Sequence, residues 1–137
     1  MDGSKVRNVC ARGAAGVAFN LRHRVTAAEV NAGHTLLIPP PGMKVRMIDC
    51  ALIAIGGAAT GATTVDILDD TTKLVAAAVA GLTQSALLRA GDTNATILAD
   101  GASFVVRAAD APITIGVTGS DLATATHVDV LLTFSLE

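Results

Sequence analysis

The stretch from Val45 to Leu68, VRMIDCALIAIGGAATGATTVDIL, constrains the fold more than any other. Its first half is apolar at both parities from Cys50 onward, the pattern of a strand covered on both faces. Its second half, Thr63 to Leu68, is rich in β-branched residues, with Thr63, Val65 and Ile67 on one side and Thr64, Asp66 and Leu68 on the other. Between them Gly56, Gly57 and Gly61 permit the positive φ that a chain reversal needs. The expectation is a long hairpin of two central strands, with the other segments packed around it.

A chain of 137 residues fits one domain around one core. That core must be built from Ala, Val, Leu and Ile, because there are three Phe and neither Trp nor Tyr. So few rings argue against a stacking platform for nucleic-acid bases. Thr35 to Ile38 reads as a short strand ended by Pro39-Pro40-Pro41-Gly42, since proline offers no amide hydrogen to a ladder. Thr26-Ala27-Ala28-Glu29-Val30 carries a capped helical turn, Thr at the cap and Glu three residues later. After Leu68 the runs Lys73–Leu82, Ser85–Arg89, Ala95–Leu98, Ser103–Arg107 and Ile113–Val117 alternate with polar or Gly-containing breaks. Such regular turn signals predict an all-β antiparallel sandwich or barrel. Val128 to Leu136 alternates most clearly, its even positions all apolar. Ile53, Ile55, Val65, Ile67, Val130, Leu132 and Phe134 are the expected shared core.

Charge divides the chain. Residues 1–24 hold Lys5, Arg7, Arg12, Arg22 and Arg24 against Asp2 alone, a balance of +4, and the remainder carries −6. This segment has few large apolar residues and includes Gly13-Ala14-Ala15-Gly16. It reads as an extended basic arm that folds onto an acidic partner surface, or as a solvated tail or a strand of the same fold. The expected division is a basic arm and lead-in at 1–34, followed by a sandwich at 35–137. On the first alternative the five basic residues are candidate partner contacts, and the arm contributes little to folding.

The search for chemistry returns no catalytic, cofactor or metal site. Gly56 to Thr63 lacks a phosphate loop's lysine, since Ala62 follows Gly61. Asp49, Asp66 and Asp129 each interrupt a strand; on neighbouring strands they would form paired carboxylates for acid–base work or a cation site, but they are expected to face solvent or pair with Lys44, Arg46 or Arg107. His23, His34 and His127 are far apart in sequence and lack a His-x-His pair, so surface or structural roles are expected. No Ser has a Gly-x-Ser-x-Gly setting, and Asn94-Ala95-Thr96 is read as a turn. Cys10 and Cys50 lack a disulfide framework's spacing, and no signal-peptide core or bilayer-length apolar run is present. Free thiols, a reducing cytoplasm and no membrane contact are expected.

Several segments carry a family likeness: Val25 to Gly33, Val45 to Leu68, Gly81-Leu82-Thr83-Gln84 with Leu88-Arg89-Ala90-Gly91, Ile113 to Gly116, and Ala125 to Val130. They resemble the jelly-roll capsid cement or decoration proteins of tailed bacteriophages, over roughly residues 25–137. The resemblance implies an eight-stranded jelly-roll sandwich on the outside of an HK97-like shell. There it would bind the major capsid protein and bridge neighbouring capsomers as a homodimer or trimer. It also implies a structural virion protein made in the host cytoplasm, without enzymatic activity, cofactor or direct nucleic-acid contact. A tail or baseplate component shares these features. A cupin-like or sugar-binding module would need a metal cluster or an aromatic platform.

Overall fold

The alternating run near the C-terminus becomes the strand between two others in one sheet, and the β-branched run after Gly61 does the same in a second. The computed structural model describes residues 17–102 and 105–137. In chain order its elements are β1 (Phe19–Thr26), α1 (Ala27–Ala32), β2 (His34–Leu37), β3 (Val45–Ile55), β4 (Thr60–Asp69), β5 (Thr72–Ala78), β6 (Leu87–Arg89), β7 (Ala95–Ile97), β8 (Ile113–Ala123) and β9 (His127–Leu136), with two short 3-10 turns at Val79–Gly81 and Ala99–Gly101. One sheet has the order β1-β9-β3-β6 and the other β2-β8-β4-β5-β7. All paired strands are antiparallel. The protein is an all-β sandwich, with nine strands among the described residues where the resemblance implies eight.

Both sheets contribute to one core. Val128, Val130 and Leu132 of β9, Leu52 of β3, Val65 and Ile67 of β4, Leu74 of β5 and Ile113 and Ile115 of β8 are essentially inaccessible to solvent. Each such aliphatic side chain contributes about 1.5–3 kcal/mol through burial, and this core stands in for the missing aromatics. Helix α1 begins as its sequence indicates: the Thr26 hydroxyl accepts the Glu29 amide at 3.2 Å, and Glu29 Oε1 accepts the Thr26 amide at 3.1 Å. Val30 of α1 is buried against the sandwich.

The expected hairpin is not formed. β3 and β4 lie in different sheets, β3 pairing with β9 and β6, and β4 with β8 and β5. Residues 56–59 carry the chain across the sandwich, and the glycines serve close approach as well as reversal. Gly56 has φ +81°, and a Cβ on Gly57 would stand 2.9 Å from the Thr124 carbonyl oxygen. Both strands are interior ones, as expected, but their partners come from distant sequence.

The core face of β3 also differs from the expectation. Its register against β9 shifts between Met47 and Asp49. Val45 and Met47 face inward before this irregularity, and Cys50, Leu52 and Ala54 after it. Ile53 and Ile55 are therefore on the outer face, half-buried, whereas Val65, Ile67, Val130, Leu132 and Phe134 are in the core as expected. One extra residue reverses the parity of everything beyond it. Residues 105–107 of the expected Ser103–Arg107 strand are not in a strand. Arg107 there holds Asp69 and Asp100 through its guanidinium.

The sandwich begins earlier than the expected boundary at residue 35. β1 pairs with β9 over its whole length, from Phe19 opposite Phe134 to Thr26 opposite His127, and Val25 is fully buried. Of the alternatives open for the arm, residues 19–24 take the strand of the same fold. Lys5, Arg7, Arg12 and Cys10 lie outside the described residues.

Candidate functional site

The outer face of the four-stranded sheet gathers the charged strand positions in rows set by register. Arg24 of β1 lies beside Asp129 of β9, next to Ile53 of β3 and Leu87 of β6. The adjacent row runs Arg22, Leu131, Ala51, Arg89, and the next has Asn20, Thr133 and Asp49. Strand alternation alone places these side chains together on the side away from the core.

Asp129 is the hub of the first row. Arg24 donates from Nε to Oδ1 at 2.7 Å and from Nη2 to Oδ2 at 3.0 Å, a bidentate geometry. Arg22 approaches Oδ2 with Nη2 at 3.6 Å. These arginines hold the Asp129 carboxyl below its ordinary pKa, first through the Arg24 hydrogen bonds and then through charge, against the opposing effect of burial. At the opposite side of the sheet Arg89 donates to Asp49 Oδ2 from Nη2 at 2.7 Å and from Nε at 3.0 Å, and Asp49 Oδ1 accepts the Cys50 amide at 2.9 Å. Three guanidiniums thus face two carboxylates.

Between these pairs the face is aliphatic. Ala51, Ile53, Ile55 and Leu131 are half-buried and Leu87 is 59% exposed. A shallow groove of about 350 Å³ crosses the strands here, bordered by Arg22, Ala51, Leu87, Arg89, Leu131 and Thr133. The second half of a two-faced apolar pattern in β3 is therefore surface rather than core.

Asp66 lies in the other sheet and does not join Asp49 and Asp129. It is buried, with Thr64 donating to Oδ1 at 2.8 Å, Thr118 donating to Oδ2 at 2.5 Å and Lys73 Nζ at 3.4 Å. The three aspartates were expected to face solvent or to pair with Lys44, Arg46 or Arg107; they pair instead with Arg24, Arg89 and Lys73, whereas Arg46 binds Glu137 and Arg107 binds Asp69. Local sequence does not reveal these cross-strand neighbours. The Asn20-Leu21-Arg22-His23-Arg24-Val25 alternation did carry the signal for β1 and for the outward direction of both arginines.

The fold also joins two histidines distant in sequence. His23 of β1 and His34 of β2 have ring centroids 5.2 Å apart, and His34 Nδ1 lies 3.2 Å from Glu29 Oε2. Among the described residues no group of three or more His, Cys, Asp or Glu side chains is arranged to hold a metal ion. Cys50 is a buried free thiol whose pKa is pushed up to about 12 by burial and then by the neighbouring Asp49 charge. No helix among the described residues is long and apolar enough to cross a membrane. No protein-family model matches the chain, and no curated protein matches it either.

Proposed function

We propose that this chain is a structural virion protein of a tailed bacteriophage that binds the outside of an HK97-like capsid shell and cements neighbouring capsomers. The observation that carries this reading is the strand order. The first strand lies beside the last, followed by the third and sixth, while the second lies beside the penultimate strand, followed by the fourth and fifth. Among the described strands only β4–β5 and β7–β8 connect neighbours in sequence within one sheet; the other connections cross the sandwich. Such wrapping supports a jelly roll, two interlocked Greek keys, with β7 as an added edge strand. This is the architecture implied by the likeness of residues 25–137 to cement proteins. The use of Asp49, Asp66 and Asp129 in cross-strand pairs, and of Asp69 in holding Arg107 outside the strands, is consistent with a binding role.

The energetics suit an abundant surface protein. Binding the assembled lattice in preference to its dissociated subunits stabilises the lattice by about 2.7 kcal/mol per site at a hundredfold excess over Kd. A homodimer or trimer would engage several capsomers together, raising the effective affinity through linked contacts. Cryo-electron microscopy of intact particles tests the reading. Regular sandwich-sized density on the outer head surface supports it; density confined to the tail or baseplate replaces it with the tail-component reading.

A further inference from the structure

The groove on the outer face of the four-stranded sheet has a shape and charge that select an occupant. It crosses the strands, so a segment lying in it meets side chains rather than a backbone ladder. Ala51 lines it between Leu131 and Arg89 in the same row, and its short side chain leaves more room there than its larger neighbours do. Leu131 and the 59% exposed Leu87 offer apolar contact around that space. Arg22 stands at the β1 end with its side chain 72% exposed, and Arg89 stands at the β6 end.

The charges on this face do not cancel. Both Asp129 oxygens already accept hydrogen bonds from Arg24, and Arg22 reaches that carboxylate only at 3.6 Å. Arg89 is matched by Asp49. Arg22 is consequently the surplus cation among these five residues, and its guanidinium fork suits a bidentate carboxylate. Apolar surface beside a surplus arginine complements an acidic segment with an aliphatic anchor.

We propose that this groove docks an acidic peptide segment of a partner protein, seating one aliphatic side chain over Ala51 and placing a carboxylate against Arg22. The capsid subunit as the source of that segment rests on the cement reading; the recognition chemistry does not. Arg89 keeps its Asp49 pairing and borders the far end, while Leu87 and Leu131 exclude water around the anchor. The surface would distinguish an acidic segment from a basic one of equal hydrophobicity, because a lysine beside Arg22 meets like charge.

The test uses the isotope-labelled full chain and two blocked peptides, one alternating Leu with Glu and the other alternating Leu with Lys, followed by nuclear magnetic resonance. The expected result is saturable perturbation of the Arg22, Ala51, Leu87 and Leu131 amides by the Glu peptide, with no corresponding response to the Lys peptide. Ala51→Leu fills the space beside Leu131 without changing charge and Arg22→Gln removes the surplus charge without adding a carboxylate beside Asp129; each should weaken Glu-peptide binding about tenfold or more while leaving Tm nearly unchanged. Equal responses to both peptides, perturbations centred elsewhere, undiminished variant binding or no Glu-peptide binding at millimolar concentration would overturn the proposal. Purified shells separate the linked claims. Glu-peptide binding without wild-type shell binding rejects the capsid as source and keeps the groove; full shell decoration by both variants rejects the groove as the capsid contact and keeps the cement reading.

Discussion

Arg24 closes its guanidinium on the Asp129 carboxylate at 2.7 and 3.0 Å across 105 positions of sequence. The pair connects the start of the described sandwich to its last strand, and it stands on the outer face that carries the groove. Arg22 and Arg24, which the charge pattern assigned to an arm separate from the fold, therefore belong to a strand of the sandwich. Asp129→Ala would leave two arginines without their common carboxylate, whereas Asp129→Asn retains part of the hydrogen bonding.

The pH dependence of this pair has a definite sign. The Asp129 pKa is lowered in the folded chain from its reference value of 3.8, chiefly by the Arg24 hydrogen bonds. Its contribution is present above the unfolded value and is lost as pH falls below 3.8 through the folded value. Urea titrations should show a decline in stability below about pH 4 that is shallower in Asp129→Asn than in wild type. Identical acid profiles would remove this residue from the acid response.

Removing residues 1–24 should destabilise the body. It deletes most of β1, whose pairing with β9 runs from Phe19 to Thr26, and breaks the Phe19–Phe134 ring contact at 5.7 Å. Loss of several kcal/mol should lower Tm by more than about 10 °C, measured by circular dichroism. An unchanged midpoint would mean that β1 contributes no stability.

The register shift in β3 predicts opposite sensitivities for adjacent residues. Leu52 faces the core and Ile53 the outer surface. Leu52→Ala should cost about 2–5 kcal/mol, against less than about 1.5 kcal/mol for Ile53→Ala. Chemical denaturation of the two variants checks this, and the reverse order would place the bulge incorrectly.

Cys50 should be chemically silent in the folded protein. Its thiol is buried and its pKa is raised to about 12, so little thiolate is available near neutrality. In a Cys10→Ser variant, a thiol reagent at pH 8 should label Cys50 only after denaturant is added. Rapid labelling of the native variant would contradict the burial of this residue.

What could be read without coordinates was local. The alternation of β9, the interior character of β3 and β4 and the Thr26–Glu29 cap follow from nearest-neighbour chemistry. Partner choice depends on residues far away: Gly56-Gly57 reads locally as a hairpin turn, whereas in the fold it packs against Thr124 and Thr126 and carries the chain between sheets. Likewise, Ile48 carries no signal that it accompanies a register shift, although that shift changes Ile53 from expected core to surface. The candidate arginines were legible as charge; Asp129 as their partner and Ala51 as a residue lining the groove emerged from the fold.

Attachment to an assembled shell, as proposed, is read out by cosedimentation. Purified full-length protein, mixed at increasing concentration with emptied shells or separately with dissociated capsid subunits, should sediment with shells to a saturating stoichiometry set by the lattice. It should show at least about tenfold weaker association with dissociated subunits. Equal affinity for shells and subunits, or no cosedimentation at any concentration, would contradict the account.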